Sequence, residues 1–329
     1  QPCSSAASDV YKRQPMGSIK LLFTKIKVNS ENALSYTKAG LDVENNDTLQ
    51  YALQISKALY HIRSGKTKGT ILNEVSISFP RFKNQSIYLY ADSQTEISMK
   101  QMIAEFAIFS KSFIGEYLKI NFDVGGVFRS CKAKGWLNHV YTHITGQELL
   151  NEIIANGIKA EYISTVKPHD LVGAPEYTHF TSPIRRLSDC VCHYLLKYIH
   201  LRNTNDLVVP FSNQQLEKYS NDCLKMTKNV KNIQYKDTKF RLIQTMSEML
   251  LVNDSIQIQY YLTSYTGMFL NIIINKINDH VVYLSYTLRI TEPQKTYKMK
   301  EENKLTIKEV HCPGKFDQGS IPELDKIFL

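Results

Sequence analysis

The chain has 329 residues, of which 43% are hydrophobic and 22% are charged, and its net charge is +9. This length allows two or three domains, and the composition excludes disordered, collagenous and disulfide-stapled classes of protein. The excess of lysine and arginine favours a polyanionic partner, although charge governs attraction and solubility rather than activity.

The cysteine content and the hydropathy indicate the cellular compartment of the protein. Six cysteines in a chain of this length do not form a disulfide framework, so we expect free thiols in an intracellular, cytoplasmic setting. No apolar segment is long enough to span a bilayer, so no membrane partner is expected. Residues 1–14, QPCSSAASDVYKRQ, lack the apolar core of a secretory signal. We interpret them as a non-native remnant, and a disordered natural tail is the alternative.

The first elements in chain order are a strand and a helix. Residues 19–28, IKLLFTKIKV, alternate apolar and polar side chains, which predicts a strand. Residues 47–65 carry apolar side chains at helical spacing. Asp47 or Thr48 would cap this helix, and Gly65 would end it.

The middle of the chain predicts two short strands and a long helix. The runs 74–79 and 86–91 are rich in β-branched and aromatic residues, which is typical of strands joined by a turn. Apolar residues recur every three or four positions from Glu96 to Leu118, which predicts a long amphipathic helix. A further helix is predicted over 146–157.

The C-terminal third has a different texture. Residues 213–250 predict a helix with a basic outer face, which would either be solvated or face a nucleic acid. Beyond it, β-branched and aromatic residues are dense, and turn signals occur at Gly267 and Asn278. We expect a domain boundary near residue 251 and a small all-β barrel over 251–329.

The segment EYTHFTSPIRRLSDCVCHYLL, residues 176–196, places two arginines at the expected start of a helix. Ser182 is a preferred N-cap, and Pro183 suits the first helical position. Arg185 and Arg186 would then lie in the first turn, where the helix dipole disfavours each cation by about 0.3–1 kcal/mol. The buried face of this helix would comprise Ile184, Leu187, Val191, Leu195 and Ile199.

An anion is therefore expected beside Arg185 and Arg186. It could be a phosphate, held by backbone N–H groups and a forked guanidinium together. It could instead be the carboxylate of Asp189, although an acid that follows a base is the weaker order for such pairs. The residues alone leave both alternatives open, together with a chance arrangement.

The same segment resembles the signature of the ribonuclease II / ribonuclease R (RNB) family of 3′→5′ exoribonucleases. That signature is aromatic-x-His-Phe-Thr-Ser-Pro-Ile-Arg-Arg, with an aspartate three residues on and a histidine four beyond it. The matching residues are Tyr177, His179, Phe180, Thr181, Ser182, Pro183, Ile184, Arg185, Arg186, Asp189 and His193.

Further stretches resemble the family in the same order. They are IKVNSENALSYTKAGLD with Tyr36, HIRSGKTKGTI, MIAEFAIFSKSFIGEYL with Glu105, and GGVFRSC with Arg129. The resemblance implies an α+β fold in which the C-terminal portion of an RNB catalytic domain, a mixed sheet with long helices, occupies 15–250. A small all-β OB-fold RNA-binding barrel would follow over 251–329.

The resemblance also implies an activity, the degradation of single-stranded RNA by metal-dependent phosphodiester hydrolysis. Arg185 would be catalytic, since its charge beside the scissile phosphate would stabilise the transition state. Tyr36 would contact the 3′-terminal nucleotide and Glu105 its ribose 2′-OH, so that the three residues converge on one cavity. Without the resemblance, Tyr36 would be interpreted as core and Glu105 as a solvated flank. Further implied RNA-binding residues are Arg186, Arg129 and His179, and implied structural supports are Ser182, Pro183, Asp189 and His193.

The chain departs from the family at the metal site. The family holds Mg²⁺ with aspartates that close with Asp-x-Asp-Asp, N-terminal to every stretch matched here, and this sequence has no such cluster. Ala104 replaces the first glutamate of the family's Glu-Glu pair, and Lys111 stands where the family usually has asparagine.

We therefore expect the C-terminal part of a longer exoribonuclease. This chain would bind no metal and would be inactive alone, because its Mg²⁺ would be held by aspartates upstream of it. One alternative is a catalytically inactive RNA-binding paralogue. The other is an unrelated basic scaffold that binds another polyanion or a protein.

Overall fold

The computed structural model describes residues 21–25, 27, 29–30, 33–65, 78–83, 86–91, 93–122, 125–133, 153, 157–202, 208–266, 269–289 and 301–310. These residues divide into two compact units. The first draws on residues up to 75, on 93–145 and on 159–221, and the second draws on 76–92, 146–158 and the chain from 222 onward. Residues 1–14 lie outside the described residues, and the domain boundary near 251 stays a prediction.

Three helices open the first unit: α1 (Tyr36–Asp42), α2 (Asp47–Gly65) and α3 (Gln94–Asn121). The hydroxyl of Ser35 caps α1 by accepting a hydrogen bond from Lys38 N at 3.1 Å. Ser93 and Glu96 form a capping box at the start of α3. The helix predicted over 47–65 is confirmed, but its capping residue is Asn46, whose Oδ1 accepts a hydrogen bond from Leu49 N at 3.1 Å, and not the predicted Asp47 or Thr48. The long helix from Glu96 is confirmed as well, although α3 extends beyond the predicted range at both ends.

The helices α1 and α2 pack against α3 around a small apolar cluster. Met99 and Met102 of α3 are buried with Ala39 of α1, and Leu49 and Leu53 of α2 pack against them. A Cβ on Gly40 would lie 2.9 Å from the hydroxyl oxygen of Thr95, so the close approach of α1 to α3 requires a glycine there.

Two short strands follow α3 and lead to the signature segment. They are β3 (Phe128–Ser130) and β4 (Glu161–Ile163), which pair antiparallel with Arg129 opposite Tyr162. A 3₁₀ turn (Asp170–Val172) comes next, and helix α4 (Leu187–Leu201) follows it. A Cβ on Gly115 of α3 would lie 2.9 Å from Tyr177 N, so α3 lies directly against the start of the signature segment.

The prediction that α4 begins at Ser182 is wrong. The helix begins at Leu187, and its N-cap residue is Arg186, in an extended conformation with φ −133° and ψ 123°. The reason is Asp189, whose carboxylate accepts a hydrogen bond from Ser182 N at 2.7 Å and so turns the preceding chain back onto the helix. Arg185 consequently precedes the helix instead of lying in its first turn.

The predicted buried face of α4 is accordingly shorter. Ile184 is fully exposed and Leu187 is also exposed, whereas Val191, Leu195 and Ile199 are buried as predicted.

The strand predicted over 19–28 is also wrong for the residues that the structure describes. Residues 21–25 are in no strand, because a strand needs a hydrogen-bonded neighbour and no described residue supplies one to them. The side chain of Leu22 is 80% exposed, and that of Phe23 is exposed as well. The described part of this stretch therefore exposes apolar side chains.

The β-hairpin predicted in the middle of the chain is present but shifted. Its strands are β1 (Ser78–Lys83) and β2 (Ser86–Ala91), paired antiparallel with Lys83 opposite Ser86. The first strand therefore continues through Pro80, which an edge strand tolerates. Residues 74–77 lie outside the described residues, as does almost all of the helix predicted over 146–157.

The second unit is built on an antiparallel sheet. The long helix α5 (Asn213–Leu250) leads to β5 (Ile256–Thr266), β6 (Phe269–Ile277), β7 (His280–Arg289) and β8 (Glu302–Ile307), in the spatial order β7-β6-β5-β8. The last turns of α5 bury Leu242, Ile243 and Met246 against the strands. Asn278 adopts φ 49° between β6 and β7, a conformation that asparagine tolerates better than most residues.

These observations confirm the α+β fold class. Strands β5 to β8 of the second unit form an open four-stranded sheet among the described residues, in keeping with part of an OB-fold barrel. Within the described part of the chain, no helix combines the length and apolarity needed to cross a bilayer.

Candidate nucleic-acid interface

The signature segment is anchored to β3 and α3 through backbone hydrogen bonds. Arg129 N donates to Tyr177 O at 2.8 Å, and Thr178 N donates to Lys111 O at 3.3 Å. The hydroxyl of Thr178 donates to Val127 O at 2.7 Å, and this side chain is fully buried. These hydrogen bonds fix the position and the direction of the segment beside β3.

Asp189 organises the turn that carries the two arginines. It is fully buried, and its Oδ1 accepts hydrogen bonds from Ser182 N at 2.7 Å and from Arg186 Nη2 at 2.8 Å. Its Oδ2 accepts one from the Ser188 hydroxyl at 3.0 Å. The sequence allowed either a phosphate or the Asp189 carboxylate beside the two arginines. In the structure, the Asp189 carboxylate is the partner of Arg186. The Arg185 side chain is exposed and makes no hydrogen bond to any described residue.

Two further contacts hold the turn against α4. The Nε2 atom of His193 lies 2.7 Å from Phe180 O, and the Cys190 thiol donates to Pro183 O at 3.1 Å. The resemblance implied four residues as structural supports, and each of them makes a hydrogen bond within the segment. They are Ser182, Pro183, Asp189 and His193.

Arg129 and Arg186 form the cationic part of the site. The guanidinium of Arg129 lies over the ring of Tyr162, with 4.6 Å between its central carbon and the ring centroid. Burial lowers the pKa of Arg129 below its usual value, and Arg186 lowers it further. Arg129 Nη1 and Arg186 Nε are buried, and no residue in the described part of the chain accepts a hydrogen bond from either of them.

Two histidines beside these arginines are held neutral. Burial lowers the pKa of His179 to about 2, with Arg186, Lys111 and Arg129 adding to the shift. Burial, and then the charge of Arg129, lowers the pKa of His169 to about 4. His179 Nδ1 lies 2.9 Å from the Tyr162 hydroxyl. At neutral pH the charge of the site therefore comes from the arginines and Lys111.

Glu105 lies in a separate buried pair that the sequence did not reveal. Its two carboxylate oxygens accept hydrogen bonds from Nε and Nη2 of Arg63, the former at 3.1 Å. Arg63 Nη1 donates to Val172 O at 3.0 Å, so the pair joins α2, α3 and the 3₁₀ turn. Arg63 occupies the last turn of α2, and its local sequence gives no signal for a buried acidic partner.

The expected convergence of Arg185, Tyr36 and Glu105 is not visible among the described contacts. Glu105 lines a cavity of about 270 Å³ between α2 and α3, and neither Arg185 nor Tyr36 is among the residues that line it. Tyr36 begins α1, is 43% exposed, and has Lys100 Nζ 5.8 Å from its ring centroid. The structure instead brings together Arg129, Arg186 and His179, with Tyr162 as the residue that sequence reasoning missed. Only the register of β3 and β4 places Tyr162 there.

The described residues do not fit the Mg²⁺ that the family resemblance implies. No group of three or more histidine, cysteine, aspartate or glutamate side chains among them could hold a metal ion. The two buried acids of the region are engaged, Asp189 with Arg186 and Glu105 with Arg63.

Solved structures share the fold over most of the chain. A Dss1 exoribonuclease active-site mutant from Candida glabrata superposes with a TM-score of 0.64 at 17% identity, covering 89% of this chain and 37% of that one. Mycoplasma genitalium RNase R, in complex with ribose-methylated single-stranded RNA, gives a TM-score of 0.60 at 16% identity, with 84% and 51% covered. Yeast Ssd1, a pseudonuclease, gives 0.52 at 17% identity, with 73% and 34% covered.

At such low identity these likenesses show the fold alone. The chain spans about half the length of the RNase R chain and about a third of the other two. No curated protein sequence matches it. The model of the RNB domain matches residues 20–202, which is more than half of the 329 residues. The chain therefore belongs to the RNB domain family.

Proposed function

We propose that this chain is the RNA-holding part of a 3′→5′ exoribonuclease that degrades single-stranded RNA. The observation that carries the proposal is the cationic site at the signature segment, where Arg129 and Arg186 keep buried N–H groups that bond to no described residue. Asp189 is the only carboxylate that pairs with these two arginines in the described residues. Such a site attracts a polyanion, and a phosphodiester supplies the acceptors that its donors lack.

Arg185 is proposed to neutralise charge on the scissile phosphate. Its exposed side chain projects from a turn that Asp189 holds in place, so the position is fixed while the guanidinium stays available. Tyr36 is proposed to contact the terminal nucleotide through its exposed ring. Glu105 already accepts two bonds from Arg63, so contact with a ribose 2′-OH would use a remaining lone pair.

Hydrolysis in this proposal needs Mg²⁺ bound by aspartates outside this chain, since the described residues offer no such cluster. We therefore propose that the chain alone binds RNA without cleaving it. The free cysteines support a reducing, cytoplasmic location for it; they are Cys131, Cys190, Cys192 and Cys223.

Titration of the purified chain with a labelled single-stranded oligoribonucleotide tests this function. The affinity is expected to fall steeply with salt, with a slope of log K against log salt of about −0.7 for each phosphate contact. DNA of the same sequence is the matched control and is expected to bind more weakly, because it lacks the 2′-OH. With Mg²⁺ added, the RNA is expected to stay intact on a gel.

Arg185→Ala provides a second comparison in the same titration. A residue that acts on the transition state contributes little to ground-state binding, so affinity is expected to change by less than about threefold. In the longer enzyme the same substitution would lower turnover far more than affinity. RNA binding that is absent, or unaffected by salt, would contradict the proposed function.

A catalytically inactive RNA-binding paralogue is the second candidate. It is favoured by the lack of a metal-holding cluster among the described residues and by the fold shared with a pseudonuclease. The genomic sequence upstream of Pro15 distinguishes the two candidates. An in-frame Asp-x-Asp-Asp supports the exoribonuclease, and a start codon immediately upstream supports the paralogue.

A further inference from the structure

We propose that residues 21–25 form a docking edge for an acidic β-strand of another polypeptide, which would bind in a groove beside α4. The groove has a volume of about 530 Å³ and lies within the first unit. None of the residues proposed to bind RNA is among the described residues that line it, so the inference does not depend on the proposed function. The lining consists of residues 21–25 together with Ile114, Phe180, His193, Leu196 and Lys197.

Residues 21–25 have the sequence of a strand but no strand neighbour. The run 19–28 alternates apolar and polar side chains as a strand does, yet residues 21–25 pair with no described strand. The N–H and C=O groups of an unpaired edge are a template for a further strand, which would supply the missing hydrogen bonds. Extended peptides bind to other proteins in this way, by adding a strand to an exposed edge.

Apolar side chains border this edge. Leu22 is 80% exposed and Phe23 is 45% exposed, and the groove beside them is lined in part by Ile114 and Leu196. The Phe23 ring lies 4.9 Å from the ring of His200, centroid to centroid, so the segment is held against α4. A strand with apolar side chains on one face would cover these groups, because pockets beside an edge accept alternate side chains of the added strand.

The charge of the groove selects an acidic partner. Lys25 and Lys197 are exposed, and none of the described residues that line the groove is acidic. Opposite charges on neighbouring strands stabilise the pairing, whereas like charges directly opposite each other destabilise it. A strand in which acidic side chains alternate with aliphatic ones therefore fits both the lysines and the apolar lining.

The chain's own segments do not match this charge. Residues 1–20 carry three basic side chains and one acidic one, and residues 19–28 of a second copy would bring three lysines and no acid. Single-stranded RNA has the required negative charge, but it lacks the peptide groups that continue a strand ladder. A strand of another protein is the occupant that satisfies the edge, the apolar surface and the charge together.

Fluorescence anisotropy with a labelled peptide tests the docking edge on the full chain. The probe is a capped peptide of about ten residues in which valine and glutamate alternate. We expect saturable binding, and binding at least about tenfold weaker for the matched peptide with lysine in place of glutamate. A second control replaces alternate valines with proline, which cannot donate to a strand ladder, and should weaken binding by at least about tenfold as well.

Charge reversal shows whether the peptide occupies this groove. Lys25→Glu/Lys197→Glu is expected to weaken binding of the glutamate peptide at least about tenfold and to strengthen binding of the lysine peptide. Lys57→Glu/Lys159→Glu changes two exposed lysines outside the groove and is the matched control, with an expected change of less than about threefold.

Amide hydrogen exchange, followed by mass spectrometry, provides a second readout on the wild-type chain. We expect residues 21–25 to exchange rapidly in the free chain and slowly with the glutamate peptide bound. If the reversed variant does not fold, this measurement decides the question.

Four results would overturn the docking edge. They are no binding of the glutamate peptide, equal binding of the glutamate and lysine peptides, an affinity that the charge reversal leaves unchanged, and a bound peptide that does not protect 21–25. Protection of 21–25 without any peptide would mean that the chain itself or a second copy fills the groove. Protection by single-stranded RNA would assign the groove to nucleic acid. Both of these outcomes also overturn an acidic strand as the partner.

Discussion

Replacing Glu105 with alanine is expected to lower the free energy of unfolding by about 3–5 kcal/mol, because it leaves a buried arginine without its anion. Arg63 and Glu105 are 8% and 5% exposed, and the carboxylate accepts two of the guanidinium's hydrogen bonds. The carbonyl of Val172 would be the one remaining acceptor among the described residues. Urea unfolding of wild type and Glu105→Ala, followed by far-UV circular dichroism, measures the difference.

Two further variants distinguish the loss of the ion pair from the general effect of a substitution in α3. Glu116→Ala removes an exposed carboxylate from the same helix and is expected to change stability by less than about 0.5 kcal/mol. The double variant Arg63→Met/Glu105→Leu replaces both charges with apolar groups and should recover most of the loss. If Glu105→Ala costs no more than Glu116→Ala, the pair does not hold α2, α3 and the 3₁₀ turn together.

Stability is also expected to fall steeply as the pH is lowered from about 6.5 towards 4. The pKa values of His179 and His169 in the folded chain are about 2 and about 4, below the value of 6.5 for an unperturbed histidine. Over this pH window the unfolded chain binds two protons that the folded chain does not. Each such proton reduces the free energy of unfolding by about 1.4 kcal/mol for every unit of pH, and above about pH 6.5 the effect disappears.

Urea unfolding at about pH 7.5, 6 and 5 measures this dependence. His179→Gln removes one of the two protons, so its stability should fall with about half the slope of the wild type, whatever its stability at neutral pH. His200→Gln is the control, since His200 is exposed at the end of α4 and should leave the slope unchanged. A wild-type slope that His179→Gln does not reduce would mean that His179 is not held neutral in the folded chain.

The sequence predicted those helices and strands that depend on residues close together in the chain. The apolar spacing of α3, together with Ser93 and Glu96 at its start, is sufficient to define that helix. The residues of the signature segment identified the family that the match to the RNB domain then showed. The same segment misled about the start of α4, because the Ser182 N–H is bonded to Asp189, seven residues further on.

The site itself could be predicted only in part, because its contacts join distant parts of the chain. Arg63 and Glu105 are 42 residues apart, and no local rule pairs them. Arg129 meets Tyr162 through the register of two three-residue strands, which are too short to be recognised from alternation. Arg185, Arg186 and His179 were accessible from the signature, whereas Tyr162 had no signal in the sequence.

In the proposed function, the signature segment holds the 3′ end of a single-stranded RNA. Photo-crosslinking tests it most directly, using an oligoribonucleotide with a photoreactive base at its 3′ terminus and peptide mapping by mass spectrometry. We expect adducts on Tyr36 and within 177–186, and their loss when unlabelled RNA competes. Adducts confined to the strands β5 to β8, with none on the first unit, would contradict it.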